Sequence, residues 1–316
     1  MTTPSDLDAP PRSRAREVAD ALRGDRATRW SAATLALVLL AALAGEILIG
    51  ATGLLDPATV RLPDKLLPPL SAPSATIAVA ERPGLGIYLL GTDDLGRDVF
   101  ARMLEGSAVT LTVGFVAVAI AISIGVAVGS IAGYLGQVRL GPFTVDGVLM
   151  RFTDVMLCFP TFFLILTAVA LLPPSIYNIM VVIGLTGWMG TARFVRAEVL
   201  SLARQDFVLA ARALGLPPTR VIVRHLLPNA AAPVLVTATV SVASAILVES
   251  SLSFLGFGVP PPHATWGNIL SDGKDYVFDA PWLFTIPGLA ILAVVLAFNL
   301  LGEGLREALD PRLRRR

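Results

Sequence analysis

The stretch RQDFVLAARALGLPPTRVIVRHLLPN, residues 204–229, is polar and rich in arginine, and it lies between two long apolar runs. The whole chain of 316 residues is 54% hydrophobic and only 16% charged, whereas soluble domains carry about 25% charged residues. This composition predicts a polytopic membrane protein. A well-defined charged segment in such a chain is expected to contact something outside the membrane.

Helical spacing and turn residues divide this stretch into two short helices. The first is predicted to end at Gly215, because glycine readily adopts the left-handed conformation that closes a helix. Pro217 and Pro218 suit the first turn of the second helix, which is predicted to end at residues 228–229. The stripes predicted to lie on one face are Phe207, Ala210, Ala211 and Leu214, followed by Val221, Ile222, His225 and Leu226.

We interpret this hairpin as a docking element. Small residues allow a short helix to enter the groove of a partner closely, and Arg212, Arg220 and Arg224 can pair with carboxylates at its rim. The alternative is a solvated loop that only connects two spans. A helix, a glycine stop and a proline restart in succession favour the docking element.

Six apolar runs are suited to cross a bilayer, so the predicted fold class is all-α with six transmembrane helices. The fourth run has about sixteen residues and is expected to be short for a hydrocarbon core of about 30 Å. The predicted spans are residues 30–55, 108–134, 147–172, 176–191, 230–255 and 283–301.

The second span carries small residues at every fourth position. This stripe predicts that another helix approaches its backbone closely. Its members are Ala117, Ala121, Gly125, Gly129 and Gly133.

The start of the chain has two interpretations. Residues 42–44, ALA, follow an arginine-rich lead and resemble a signal-peptidase site. The lead is long and the apolar run continues past Ala44, which favours an uncleaved first span. Residues 1–29 are then an N-terminal tail.

The placement of arginine and lysine orients the six spans. Nineteen basic residues fall in segments 1–29, 135–151, 193–229 and 305–316, and six fall in the segments between them. Cytoplasmic loops carry the excess of basic residues. Both termini and the hairpin are therefore predicted to be cytoplasmic, and residues 56–107 to be external.

Several classes of function are excluded by what the sequence lacks. No GxxxxGK[ST] motif is present, so the chain does not bind ATP through a P-loop. One cysteine, Cys158, allows no intrachain disulfide, and two histidines, His225 and His263, indicate no metal site. A net charge of +1 gives no basic field for nucleic acid. No catalytic residue is predicted.

Two acidic residues are candidates for the substrate path. Glu249 lies near the outer end of the fifth span and Asp154 near the start of the third. Embedded charges are costly and often functional, but Glu249 can equally hold structure, and Asp154 suits the start of a helix.

Two functions of other classes must be weighed against that of a membrane protein that docks on a partner. A secondary transporter is the alternative that works without ATPase partners, but the sequence shows no internal repeat and no midplane carboxylate for a coupling ion. An intramembrane hydrolase would need acid and base groups within the spans, and these are missing.

The residues of the hairpin also follow a known family pattern. It resembles the cytoplasmic EAA loop of binding-protein-dependent ABC transporter permeases: E-A-A, three residues, G, nine residues, I-x-L-P. Ala210-Ala211, Gly215 and Leu227-Pro228 stand at those positions. Leu209 replaces the acidic residue and so removes a charge from the docking helix. His225 replaces the isoleucine, similar to the RH-L-P-N variant of the peptide-transport branch.

Other motifs extend the resemblance over roughly residues 30–316. They resemble the second permease of the dipeptide, oligopeptide and nickel branch. The stretches are LGTDDLGRD at 90–98, ESSLSFLG at 249–256, WGN at 266–268, NLLGEGLR at 299–306 and DPR at 310–312.

The resemblance implies a type I ABC importer permease, a non-enzymatic subunit in the inner or plasma membrane. Its partners would be a homologous permease in a heterodimer, two ATPases that bind ATP and Mg, an extracytoplasmic substrate-binding protein and membrane lipid, but no nucleic acid. The cargo would be a dipeptide, an oligopeptide or a related solute such as a nickel chelate. The chain itself would hold no cofactor.

The resemblance also assigns regions and residues. Residues 108–304 would form the permease core, with the coupling loop at 193–229 and a cytoplasmic tail at 305–316. The residues expected to contact the ATPase are Asp206, Phe207, Ala210, Ala211, Arg212, Leu214, Gly215, Leu216, Pro217, Arg220 and His225.

Overall fold

A computed structural model describes residues 26–78 and 81–309 of the chain. Ten α-helices and one short antiparallel pair of β-strands lie within these residues. The helices are α1 Arg26–Gly45, α2 Val99–Tyr134, α3 Val145–Leu157, α4 Thr161–Leu171, α5 Ile176–Leu202, α6 Asp206–Ala213, α7 Pro218–Val221, α8 Leu227–Phe254, α9 Trp266–Gly273 and α10 Trp282–Leu309. Strands β1 Arg139–Leu140 and β2 Phe143–Thr144 pair Arg139 with Thr144.

Five helical segments of the described chain are long and apolar enough to cross a membrane. They are Arg26–Ala51, Val99–Tyr134, Ile176–Leu202, Pro218–Phe254 and Trp282–Leu309. The predicted N-terminal tail ends inside the first of these, because α1 already begins at Arg26; residues 1–25 lie outside the described part.

The third predicted span is broken rather than continuous. Helices α3 and α4 meet at an angle of 81°. The break falls before Pro160, which has no N–H to donate and disfavours helical conformation in the residue before it. Helix α4 has 11 residues, so by itself it extends only about 16 Å.

Two other predicted boundaries are wrong because charge and proline were taken as helix ends. The fourth span does not stop at residue 191: α5 continues to Leu202. The second helix of the hairpin does not end at residues 228–229: a π-helical turn at Ile222–Leu226 leads directly into α8. Such a turn already breaks the regular hydrogen-bond ladder, so the missing N–H of Pro228 is tolerated there.

Helices α2 and α5 form the most extensive contact in the bundle, along the predicted stripe of small residues. A Cβ added at Gly129 would lie 2.5 Å from the carbonyl oxygen of Ala192, and one at Gly125 would lie 2.6 Å from Cβ of Thr191. Real Cβ atoms essentially never approach so closely. The predicted function of this stripe, close backbone approach, is confirmed.

The end of the bundle opposite the hairpin, called the distal end below, is covered by the segment before α2 and by α9. Asp98 caps α2, and its Oδ1 accepts from the backbone N–H of Phe100 at 2.8 Å. Two indoles fasten this cover to the bundle. Nε1 of Trp266 donates to the carbonyl of Met103 at 3.1 Å, and Nε1 of Trp282 donates to that of Thr92 at 3.2 Å.

Candidate functional site

Helix α6 of the hairpin is anchored to the bundle through one face. Val208 and Ala211 are buried there. They belong to an apolar cluster that also contains Val195 and Val199 of α5, together with Val221, Ile222 and Leu226. This packing connects the short helix rigidly to the ends of two long helices.

The remaining surface of α6 and of the turn after it exposes three apolar side chains. Side chains of Phe207, Leu209 and Leu214 are 40%, 48% and 81% exposed. We call these three residues the hairpin face. Of the four residues predicted to share one face, Phe207, Ala210 and Leu214 are exposed, whereas Ala211 is buried against the bundle. On a helix of 8 residues, periodicity alone left the buried stripe ambiguous, because apolar residues occur on both sides.

The turn after α6 contains the glycine stop and the proline restart that the sequence predicts. Gly215 has a φ of +73°, a left-handed conformation that glycine adopts without strain. The N–H of Gly215 donates to the carbonyl of Arg212 at 2.9 Å, and the N–H of Leu216 donates to that of Ala211 at 3.2 Å. Pro217 then caps α7. This pattern satisfies carbonyls at the end of α6 and fixes the direction of the chain.

The charged members of the predicted docking set surround this turn. Asp206 lies in the first turn of α6 and Arg212 in its last, where each complements the helix dipole. Arg220 is exposed, and the second predicted stripe is confirmed: Val221, Ile222 and Leu226 are buried and His225 is half-buried.

The structure does not bring the two substrate-path candidates together. Asp154 forms an ion pair with Arg193 of α5, and both side chains are largely exposed. Asp146, in the first turn of α3, forms a second pair with Arg196 at 2.5 Å. These pairs attach α3 to α5 beside the hairpin.

Glu249 lies at the other end of the bundle and is completely buried. Oε1 accepts from the hydroxyl of Ser253 at 2.7 Å, and Oε2 from those of Ser250 at 3.4 Å and Thr110 at 3.5 Å. Thr265, the N-cap of α9, donates to Ser253 at 3.3 Å. Glu249 therefore links α2, α8 and the start of α9 through hydroxyl groups.

A cluster of charges at the distal end was not predicted from sequence. Asp93, fully buried, accepts from Nε of Arg97 at 2.7 Å and from Nη1 of Arg102 at 2.5 Å. Asp272 of α9 accepts from the same two side chains at 3.1 and 2.9 Å. With Asp94, these residues form what we call the distal charged cluster. The motif at 90–98 signalled part of it, but Arg102 and Asp272 are 170 positions apart.

Three carboxylates of the distal charged cluster lie close enough together to face one cation. Carboxylate oxygens of Asp93, Asp94 and Asp272 lie within 4.8 Å of one another. The guanidinium groups of Arg97 and Arg102 already occupy oxygens of Asp93 and Asp272. Two fixed positive charges at the same oxygens disfavour a divalent cation.

A second carboxyl organises the segment before α2. Asp64 accepts from the hydroxyl of Tyr88 at 2.6 Å and from the backbone N–H of Ser74 at 2.9 Å. Burial by itself would raise the pKa of Asp64, but the hydrogen bonds from Ser74 and Tyr88 outweigh it and the pKa is lowered. Burial and the Asp64 charge raise the pKa of Tyr88.

Comparison with known proteins identifies the family of this chain. Residues 125–315 match the family described as "Binding-protein-dependent transport system inner membrane component". The chain belongs to this family. As a member with several membrane-spanning helices it is a multi-pass membrane protein and a transport component rather than an enzyme.

Similar curated proteins share the family and most of the chain. The dipeptide transport system permease protein DppC of Alkalihalophilus pseudofirmus is 42% identical over 72% of this chain and 73% of its own. The oligopeptide transport system permease protein OppC of Bacillus subtilis is 38% identical over 75% of each. The di/tripeptide transport system permease protein DppC of Pseudomonas aeruginosa is 40% identical over 73% of this chain and 74% of its own.

A solved structure supports the fold. An inward-facing form of the MetNI methionine ABC transporter aligns with a TM-score of 0.52 and 17% identity, covering 67% of this chain and 98% of that one. The predicted ABC importer permease fold is confirmed.

Proposed function

We propose that this chain is the transmembrane permease subunit of an ATP-driven peptide importer. The named activities of three similar permeases, which transport dipeptides, oligopeptides and di/tripeptides, support the cargo class. The complex would contain a homologous permease, two ATPases that bind ATP and Mg, and an extracytoplasmic substrate-binding protein. The chain holds no cofactor of its own in this proposal.

The hairpin is the proposed ATPase contact, and its exposed apolar face is the observation that carries the proposal. Phe207, Leu209 and Leu214 are exposed, while Val208 and Ala211 attach the same helix to the bundle. An exposed apolar face on an anchored helix suits insertion into a groove. The excess of basic residues supports a cytoplasmic position for the hairpin and both termini.

Motion at the hairpin has a direct mechanical route to the distal end. The segment Pro218–Phe254 is helical over 37 residues, which corresponds to about 55 Å. It begins in the cluster that anchors α6 and ends beside Glu249. A displacement of the hairpin by the ATPases would therefore tilt a helix that extends across the whole membrane, as alternating access requires.

Leu209 at the acidic position of the family pattern changes how docking is achieved. Its side chain is 48% exposed and is, with Phe207 and Leu214, one of the three exposed apolar residues of the hairpin face. Burying a leucine against a partner contributes up to about 1.5–3 kcal/mol. In this chain we propose that apolar burial replaces the contribution of the missing carboxylate.

Replacement of Leu214 by alanine tests the docking surface. Because the side chain is 81% exposed, the substitution leaves the packing of the chain intact. With the partner permease, ATPases and binding protein reconstituted in vesicles, we expect peptide-stimulated ATP hydrolysis and peptide uptake to fall by about tenfold, which corresponds to loss of about 1.4 kcal/mol of docking energy.

The matched control is Leu171→Ala. Leu171 is also 81% exposed but lies at the end of α4 away from the hairpin. We expect this variant to retain ATP hydrolysis and uptake. Unchanged coupling in Leu214→Ala, with the complex assembled, would show that the hairpin face is not the ATPase contact.

A further inference from the structure

A cavity of about 510 Å³ opens at the distal end beside the charged cluster. We call it the distal cavity. Asp94 and Arg102 form one wall, Asp272 of α9 forms another, and Pro174 and Val259 contribute apolar surface. Its volume lies within the range of about 300–1,000 Å³ that is typical of small-molecule sites.

The charges around the distal cavity do not balance. Three carboxylates, Asp93, Asp94 and Asp272, face two guanidinium groups, Arg97 and Arg102. Asp93 and Asp272 each bind both arginines, whereas Asp94 approaches only Arg97, at 4.0 Å. Asp94 is therefore the carboxylate of the three with the weakest ion pairing among the described residues.

One carboxylate oxygen of Asp94 also lacks a hydrogen bond from the described residues. Its Oδ1 is buried and accepts none from any residue that the structure describes, while the side chain as a whole remains 31% exposed. Burial raises the pKa of Asp94, and the negative charges of Asp93 and Asp272 raise it further. A cationic donor that entered the distal cavity would contact the exposed part of this carboxylate and offset the negative charges of Asp93 and Asp272.

A second polar group that lacks a hydrogen-bond partner among the described residues lies in the same wall. Arg102 is only 3% exposed, and its Nε–H has no acceptor among the described residues although Nη1 binds two carboxylates. The wall thus combines an acceptor that lacks a donor with a donor that lacks an acceptor. The N-terminus of a peptide carries the complementary pair, an ammonium group followed by a carbonyl oxygen.

We propose that the distal cavity binds the N-terminal end of the transported peptide, with the α-ammonium group on Asp94 and the first carbonyl oxygen toward Arg102. This inference rests on the proposed peptide-import function and adds a recognition site on the permease itself. A primary ammonium fits better than a divalent cation, because two guanidinium groups share the remaining carboxylate oxygens. The apolar wall at Pro174 and Val259 leaves space for the first side chain.

Protection of an engineered cysteine tests binding without requiring transport. Cys158, which is exposed, is changed to serine, and Pro174→Cys places a single thiol at the cavity wall. In the assembled transporter without binding protein, the rate of maleimide labelling is measured against increasing Ala-Ala. We expect Ala-Ala to slow labelling and N-acetyl-Ala-Ala to have no effect at the same concentration.

Two variants locate the binding group. Asp94→Asn should weaken protection by at least about tenfold, because the carboxylate charge that pairs with the ammonium group is lost. Asp275→Asn is the control, since Asp275 is exposed beside α9 and does not line the distal cavity. It should leave protection unchanged.

Several results would overturn the site. Equal protection by the acetylated peptide would exclude ammonium recognition, and this comparison needs no change at Asp94. Protection by Mg²⁺ or Ca²⁺ alone, with none by Ala-Ala, would indicate a metal site. A thiol that does not react in the assembled transporter would show that a partner subunit fills the cavity. If Ala-Ala gives no protection but is imported normally, the site fails while the proposed function stands; absence of any peptide import rejects the function itself.

Discussion

The substitution Gly129→Val tests whether contact between α2 and α5 holds the bundle together. The carbonyl oxygen of Ala192 would lie 2.5 Å from the new Cβ, about 0.9 Å inside the ordinary contact distance of 3.4 Å. Cβ of Val195 would lie at 2.8 Å. Backbone cannot rotate away as a flexible side chain can, so the two helices must separate.

Gly190→Val is the matched comparison. Gly190 is also inside a membrane helix, α5, but an added Cβ there meets nothing within 4 Å. The change in helix propensity from glycine to valine is the same at both positions and cancels in the difference. The difference in stability between the two variants then reports the packing of the new side chain, and overpacking of this kind costs up to about 3 kcal/mol.

Thermal unfolding of the purified chain in detergent measures the difference. For a chain of this size about 1 kcal/mol corresponds to about 2 °C, so we expect Gly129→Val to unfold about 6 °C below Gly190→Val. Midpoints within about 1 °C of each other would refute the close packing of α2 on α5.

Two further predictions concern acidic groups. The lowered pKa of Asp64 stabilises the folded state fully above the unfolded pKa of 3.8, and this stabilisation is lost as pH falls through the lower folded pKa. Tyr88→Phe should move this acid transition to higher pH, and Asp64→Asn should abolish it. Near-ultraviolet circular dichroism follows the transition. Glu249→Gln and Asp154→Asn should both retain peptide uptake, since Glu249 is enclosed by hydroxyls and Asp154 is in an exposed ion pair that contributes less than about 1 kcal/mol. Loss of uptake by either variant in a fully assembled complex would place that residue on the substrate path.

Much of the architecture was predictable because its causes are local. Apolar runs longer than a bilayer predict spans from length alone, and small residues at every fourth position predict close helix packing wherever the partner lies. Gly215 predicts the turn because few other residues adopt its conformation without strain. The ends of the helices were harder to predict from the sequence. Arg193 and Arg196 end an apolar run but do not end α5, and they form ion pairs with Asp154 and Asp146 of α3.

The sequence by itself determined a multi-span membrane protein with a charged hairpin and a stripe of close helix contact, since these depend on composition and on spacing within one helix. Only the tertiary structure decided which face of α6 is free, why Glu249 is enclosed, and that Arg102 meets Asp272 across 170 positions. Those outcomes depend on which distant segments meet, and periodicity carries no information about that. The hairpin face and the distal cavity, which carry the two proposals, therefore became visible only after the helices were packed.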